Sequence, residues 1–387
     1  MFLGLFEDIL EDRLLRTHRL KIGLDVDDVL YDCNAYALSI VNANHPDEEP
    51  MTINDIKGWG DYGRHSEERI ALYSDPEFVK NQPVFPGAQK LVRDLTKFAD
   101  VFFVTAVPVS CMSARGERLL QDFPEVPPKN IIIGTRKDIM NLDILLDDAA
   151  HNIAASKATY PVLFRRPWNM DMSGLLSINS YRDFLSLCKM IRNSFTEKVS
   201  DLTNGGVICL VGPSGSLKNE IAINITKHER YEKPVASTTR PKREHETQNS
   251  YRFISEDQFI KERDEGCYIE STVYSGYHFG TPSKEISDIV ARKNLAVIPI
   301  DVCGALSLCN EFSKHTLLVF INRQRKDVLS DIVDRDISRE DKVRRIMSLD
   351  FEYRNAEICD VELTVDDNPK DAADRLVSMI EEKYVKH

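Results

Sequence analysis

Lys21-Ile22-Gly23-Leu24-Asp25-Val26-Asp27-Asp28-Val29-Leu30 is an apolar run that closes on carboxylates two positions apart. In an extended chain alternate side chains share a face, so Asp25 and Asp27 can project together from the carboxyl end of a buried strand. Open α/β sheets bind ligands at that edge. One carboxylate there can attack an electrophile while its neighbour moves a proton, and their joint charge invites a hard divalent cation. The alternative is structural: Asp27-Asp28 begins a turn and caps the next helix.

Working outward, the next residues decide between these readings. Helical spacing covers Asn34 to Val41, and a polar stretch from Asn44 to Gly63 carries Trp59, Asp61 and Tyr62. An insertion directly after such a strand is expected to form a cap over its end. Gln82 to Ala88 reads as a turn opening a helix over Gln89 to Phe98. Val101 to Ala106 is a second apolar strand containing Thr105, Ile131 to Gly134 a third leading to Lys137, and Leu142 to Leu146 a fourth leading to Asp147-Asp148. Strands alternating with helices imply a parallel sheet with right-handed crossovers, which brings those strand ends to one edge.

Each of the converging groups has a task in phosphate ester hydrolysis. Asp25 would attack phosphorus, and Asp27 would protonate the leaving oxygen and then activate water. Thr105 would donate to a phosphoryl oxygen, and Lys137 would neutralise charge. Asp25, Asp27, Asp147 and Asp148 would supply the oxygen ligands that Mg²⁺ demands. A Thr or Asp ending one strand is commonplace, but four strand ends carrying these types in this order are not.

The second half restarts the pattern. Residues 193–206 are polar and end in Gly205-Gly206, which makes them the expected linker between a domain at 1–192 and another at 207–387. The strand Val207 to Val211 then runs into Gly212-Pro213-Ser214-Gly215-Ser216-Leu217-Lys218-Asn219 and a helical stretch. Strand, glycine turn, lysine and helix is the arrangement in which backbone N–H groups cradle phosphate. The full pattern is broken twice, with Leu217 at the second glycine and Asn219 at the metal-binding hydroxyl.

Composition bounds these readings. The chain has 387 residues, enough for two cores, and a net charge of −12. That balance argues against broad adhesion to nucleic acid, which needs clustered Lys and Arg. The eight cysteines include no C-x-x-C pair, so reduced core thiols and a cytoplasmic setting are expected, or the host's cytoplasm for a virus-encoded chain. Residues 1–20 are too charged for a signal peptide, and no apolar run is long enough to cross a bilayer.

The first half resembles the haloacid dehalogenase-like phosphohydrolases, with Asp25-x-Asp27, Thr105, Lys137 and Asp147-Asp148 as their four successive motifs. Leu24 to Leu30, Pro83 to Ala88, Val104-Thr105-Ala106 and Thr135-Arg136-Lys137 make it most similar to the 5'(3')-deoxyribonucleotidases within that superfamily. The resemblance, over residues 20 to 190, implies a Mg²⁺-dependent phosphatase whose small helical cap selects a nucleoside monophosphate. Trp59 and Tyr62 are the cap aromatics that could stack on a base.

Ser237 to Arg243, Tyr251-Arg252-Phe253, Tyr268-Ile269-Glu270, Gly276 to Thr281 and Ile300 to Gly304 resemble the successive signatures of guanylate kinase. That likeness implies a P-loop at Gly212, Ser214, Gly215 and Lys218. It implies that Ser237, Arg240, Arg243 and Tyr251 hold a monophosphate, that Glu270, Thr281 and Asp301 face the base, and that Arg345 is a lid arginine. ATP would be the second substrate. Phe279 stands where the family has a phosphate-binding Tyr, and Asp336 follows Arg335 where a Gly is expected.

The expected fold is therefore α/β, with two parallel-sheet domains: a capped haloacid dehalogenase-like domain and a P-loop guanylate kinase-like domain. The expected function is nucleotide hydrolysis joined to a module that phosphorylates or binds a nucleoside monophosphate, and different base preferences in the halves would remodel a nucleotide pool. Two alternatives stand: a polynucleotide kinase-phosphatase, against which the acidic balance, Arg240, Tyr251 and Glu270 count, and a phosphatase whose second half is a non-catalytic protein-binding module.

Overall fold

The computed structural model describes residues 19–385 apart from 59–62, 171, 173–174, 194–200, 243–250, 275–276 and 367. These fall into two compact units: residues to Asn169 with Asn179–Cys188, and Met170–Ile178 with Lys189 onward.

In the first unit five strands of one sheet lie in the order β3-β2-β1-β4-β5, where β1 is Leu20–Leu24, β2 Ala99–Thr105, β3 Ile131–Ile133, β4 Ile144–Asp147 and β5 Tyr160–Phe164. Every pairing among them is parallel. Ile22, Leu24, Phe103, Ile144, Leu145 and Leu146 are wholly buried, as expected of a sheet covered on both faces. The chain winds outward from β1 through β2 and β3, then returns to add β4 on the other side of β1. That reversal opens a crevice at the carboxyl ends of β1 and β4. Leu24 lies opposite both Leu146 and Phe103, so the residue that follows each strand reaches the same edge.

The cap runs further than the polar insertion. After helix Cys33–Asn44 come a short turn at Ile53–Asp55 and helix Ser66–Leu72. Asn42 clamps Met51 by donating to its carbonyl and accepting from its N–H, both at 2.9 Å, which ties the insertion to the first helix.

The second unit holds two sheets. Strands β6 (Gly206–Val211), β7 (Tyr231–Glu232), β12 (Leu295–Pro299), β13 (Thr316–Arg323) and β14 (Val361–Val365) form one, in the order β14-β13-β6-β12-β7 and parallel throughout. Strands β8 (Ser237–Thr238), β9 (Arg252–Phe253), β10 (Tyr268–Tyr274) and β11 (Tyr277–Pro282) form a smaller mixed sheet, β9-β8-β11-β10. The first is packed by Ile221, Ala222 and Ile225 of helix Lys218–Ile225 and by Ala372, Leu376 and Ile380 of helix Pro369–Lys383. Strand β6 begins at Gly206, inside the stretch read as linker; 194–200 of that stretch lie outside the described residues.

Candidate active sites

At the β1/β4 crevice, Asp25 follows β1 and its N–H donates to the Leu146 carbonyl at 2.8 Å. The Lys137 ammonium, on a short turn after β3, lies 2.8 Å from Asp25 Oδ1 and 2.7 Å from Asp147 Oδ2. Asp147 also accepts from the Ala149 N–H at 2.8 Å and from Asn152. Asp148 accepts from the Trp168 indole N–H at 2.9 Å. Asp25, Asp147 and Asp148 are buried, each with an oxygen within 4.8 Å of the others.

Three carboxylates around one ammonium leave negative charge in excess. Burial, with the Asp147 charge, lifts Asp25 to about 7 against the pull of Lys137. Burial and Asp147 likewise push Asp148 well above the usual carboxylate range. Both shifts show that the ionised triad lacks a compensating cation, and an all-oxygen set suits a hard one. The donor set therefore fits a divalent ion held by these three side chains.

Asp27 stands outside that group. Its Oδ1 receives Arg115 Nη2 at 2.5 Å, the Cys33 thiol at 2.9 Å and Gln82 Nε2 at 3.4 Å. Arg115 is itself buried, and its Nε and Nη1 have no hydrogen-bond partner. The Thr105 hydroxyl at the end of β2 is fully buried and has no hydrogen-bond partner either. A donor left open at this edge is suited to a phosphoryl oxygen.

Asp28 was legible only as part of a turn. It adopts a left-handed φ of 55°, which an Asp tolerates better than a branched residue. Its carboxyl accepts from the Asn34 N–H at 2.9 Å and the Asn34 amide at 2.6 Å, while Arg69 reaches Asn34 Oδ1 at 2.5 Å. Burial lifts Asp28 to about 7. Together these groups wall a cavity of about 460 Å³, with Asp25, Asp27, Lys137 and Asp148 at its floor and Ile56, Arg69, Ile70, Tyr73 and Trp168 around it. Trp59 and Tyr62 lie outside the described residues. Trp168, Arg115, Asn34 and Arg69 were missed in the sequence because no motif spacing marks them; only the cluster Arg165-Arg166-Pro167-Trp168-Asn169 just past β5 was a signal.

In the second unit the Gly212–Lys218 turn sits between β6 and helix Lys218–Ile225. Gly212 has φ 151°, and a Cβ there would lie 2.8 Å from the Ile321 carbonyl. Leu217 takes φ 66°, a left-handed conformation costing a non-glycine residue roughly 1–2 kcal/mol. Its side chain packs against the core, which offsets part of that cost. The loop is also closed on itself. Lys218 Nζ donates to the Gly212 and Pro213 carbonyls at 2.5 and 2.8 Å, and desolvation lowers it to about 8. The Ser214 N–H donates to Glu352 Oε2 at 3.0 Å, and the Ser214 hydroxyl accepts from Arg335 at 3.1 Å and from Arg345. Asn219 is exposed.

On the other side, Arg240 stacks near the Tyr251 and Phe253 rings, 5.5 and 5.7 Å from their centroids. Ser237 and Thr281 are buried in the small sheet, with Ser237 Oγ 3.4 Å from Arg252. Phe279 packs edge-on against Tyr251. Asp301 caps helix Val302–Phe312 by accepting from Gly304 N at 2.8 Å. Arg243 and the Glu270 side chain lie outside what is described.

A sheet-edge triad of carboxylates paired to a lysine, under a helical cap, defines the first unit as a haloacid dehalogenase-like phosphohydrolase. Residues 19–193 match the family model "5' nucleotidase, deoxy (Pyrimidine), cytosolic type C protein". They align with a Staphylococcus aureus (strain Mu50) protein called "Putative 5'(3')-deoxyribonucleotidase", 30% identical over 169 residues, covering 43% of this chain and 93% of that protein. The chain belongs, through this half, to the 5'(3')-deoxyribonucleotidase family and is a phosphoric monoester hydrolase of the 5'-nucleotidase type. Residues 205–383 match the guanylate kinase model. Guanylate kinases of Aster yellows witches'-broom phytoplasma (27% identical over 187 residues, 47% of this chain, 88% of the relative) and Thermotoga maritima (28% over 185, 47% and 89%) align with this half. A deoxynucleotidase region is thus fused to a guanylate kinase region.

Proposed function

We propose that the first unit hydrolyses deoxynucleoside 5'-monophosphates with Mg²⁺, and that the second binds a nucleoside monophosphate and, given ATP, phosphorylates it. The buried triad of Asp25, Asp147 and Asp148 around Lys137 supports the hydrolase reading most strongly. Asp25 Oδ attacks phosphorus in line, the bond to the ester oxygen breaks, and that oxygen takes a proton from Asp27. Water then attacks the aspartyl-phosphate, Asp27 accepts its proton, and the Asp25 carboxylate and inorganic phosphate are restored. Arg115 and Gln82 fix the Asp27 carboxyl, Thr105 donates to a phosphoryl oxygen, and Lys137 offsets its charge. Mg²⁺ held by the triad, with Asp27 completing its surroundings, would supply charge neutralisation for the phosphate.

In the second unit Ser237, Arg240, Arg243 and Tyr251 would hold the monophosphate, the guanidinium planes matching phosphate oxygens two at a time, while Glu270, Thr281 and Asp301 would face the base. The hold of Glu352 on the Ser214 N–H favours a second reading, in which this unit binds a monophosphate or a partner protein without transferring phosphate.

The domain limits 1–192 and 207–387, with 193–206 between them, are part of the proposal. A substrate panel of ribo- and deoxynucleoside 5'-monophosphates on the intact chain, with and without Mg²⁺ and ATP, tests it. Phosphate release that requires Mg²⁺, and diphosphate formation that requires ATP from a different base, are the expected results. Release of phosphate only from oligonucleotide ends would overturn the hydrolase reading, and binding of a monophosphate without diphosphate formation would select the second reading for the kinase-like half.

A further inference from the structure

The cap carries a second cluster of metal-binding residue types, away from the carboxylate triad. His45 ends helix Cys33–Asn44 as its C-cap, and His65 opens helix Ser66–Leu72 as its N-cap. Their rings stack with centroids 3.8 Å apart and planes at 20°. His45 Nε2 lies 2.8 Å from Glu68 Oε2, His65 Nε2 lies 3.1 Å from Glu48 Oε2, and His45 Nδ1 is 3.6 Å from Glu48 Oε1. Ligand atoms of His45, His65 and Glu68 all fall within 4.8 Å of one another. Arg64 pairs with Glu48 at 3.0 Å, and Asn44 with Glu68 at 2.7 Å.

Two features set this cluster apart from ordinary surface ion pairs. To be ion pairs, both imidazoles must be protonated, and two cationic rings stacked at that spacing repel. Neutral rings facing a shared divalent ion carry no such penalty, and two imidazoles with a carboxylate form a recurrent Zn²⁺ donor set. Independently, His65 holds a left-handed backbone, φ 55°, without any side-chain capping bond to justify it. Strain of this kind, of order 1–3 kcal/mol, persists where the surroundings require the side chain to be aimed.

We propose that His45, His65 and Glu68, with Glu48 adjoining, form a cap site for Zn²⁺ or a similar borderline transition-metal ion, distinct from the oxygen-lined site of Asp25, Asp147 and Asp148. Such an ion ties the end of one helix to the start of another. Those helices carry Asn34 and Arg69, which bond each other and line the substrate cavity. The ion would thus be structural, holding the cavity wall in place. The ligand types divide the two sites chemically, since Mg²⁺ seeks oxygen and a borderline ion is better served by imidazole.

The test uses the full chain with excess Mg²⁺ present, titrated with Co²⁺ as a visible probe and with Zn²⁺ as competitor. We expect one bound Co²⁺ with the d–d absorption of a low-coordinate nitrogen-ligated ion, displaced by Zn²⁺, retained in Asp148→Asn and lost in His45→Gln and His65→Gln. X-ray absorption of the Co²⁺-loaded wild type should show two imidazoles. The triad's cavity includes only His151 as a histidine lining, so it can supply one at most. That measurement decides the matter without any variant. No bound Co²⁺ under excess Mg²⁺, or a spectrum with one imidazole or none, overturns the proposal.

Discussion

The chain contains two phosphate-handling edges built on parallel sheets, and they hold their charge in opposite ways. The β1/β4 crevice gathers three buried carboxylates around Lys137 and leaves its negative charge and the Thr105 hydroxyl unmet. The Gly212–Lys218 loop has met its own needs: Lys218 is spent on two loop carbonyls, and Ser214 is engaged by Glu352, Arg335 and Arg345. An edge with open valences is poised for an incoming cation and phosphate. An edge with closed ones must first give up bonds of its own, which reduces net affinity by the energy of those bonds.

The largest expected effect is at the open edge. Asp25→Asn should reduce phosphate release roughly 10⁴-fold or more, since it removes the nucleophile while nearly keeping the shape. Steady-state assay beside far-UV circular dichroism checks it, and turnover in a folded variant would end the assignment. Thr105→Val should follow, lowering kcat roughly 10²-fold through loss of one preorganised donor. An unchanged kcat would show that the buried hydroxyl serves the fold alone.

The pH response of the same edge comes next. Asp25 must be ionised to attack, and its pKa is raised to about 7 by burial and Asp147. Hydrolysis at sub-saturating Mg²⁺ should therefore fall as pH drops through about 7. More Mg²⁺ should move that limb to lower pH, because the cation favours the ionised form. A limb indifferent to Mg²⁺ would break the link between the triad and the metal. The stability sign is the converse. A carboxyl whose folded pKa is raised contributes stability that is present below its unfolded value of about 4 and lost as pH rises through the folded one. Metal-free Asp148→Asn should accordingly gain melting temperature over wild type as the pH is raised from about 4 towards neutrality, and an unchanged difference between the two proteins would argue against the shift.

The smallest effect concerns the closed edge. Glu352→Gln keeps the side chain's shape but removes the charge that competes with phosphate, so a non-hydrolysable ATP analogue should bind several-fold more tightly by calorimetry. Weaker binding would mean that Glu352 assists the nucleotide, and the contrast between the two edges would dissolve.

Much of the site was legible in the chain because catalytic groups at the ends of parallel strands come with recognisable strand patterns. Asp25, Thr105, Lys137 and Asp147 were placed by that logic, and the register of Leu24 against Phe103 and Leu146 brings their strand ends to one edge. Asp27 shows where the logic stops. Alternation puts it on the same side as Asp25, yet the chain leaves the strand at Leu24 and turns, with Asp28 left-handed, so the Asp27 carboxyl meets Arg115 rather than the triad. Arg115 is 88 residues away from it, and nothing local marks such a partner.

What the sequence alone determined was the class of each half: periodic apolar runs set strands and helices, and motif residues at their ends named the chemistry. Only the tertiary structure decided which groups remain open. Whether Ser214 faces a nucleotide or Glu352, whether Thr105 keeps a vacant hydroxyl, and whether His45 stacks on His65 depend on contacts between residues far apart in the chain. Periodicity is a property of neighbours along the backbone, whereas hydrogen-bond satisfaction and burial are properties of neighbours in space.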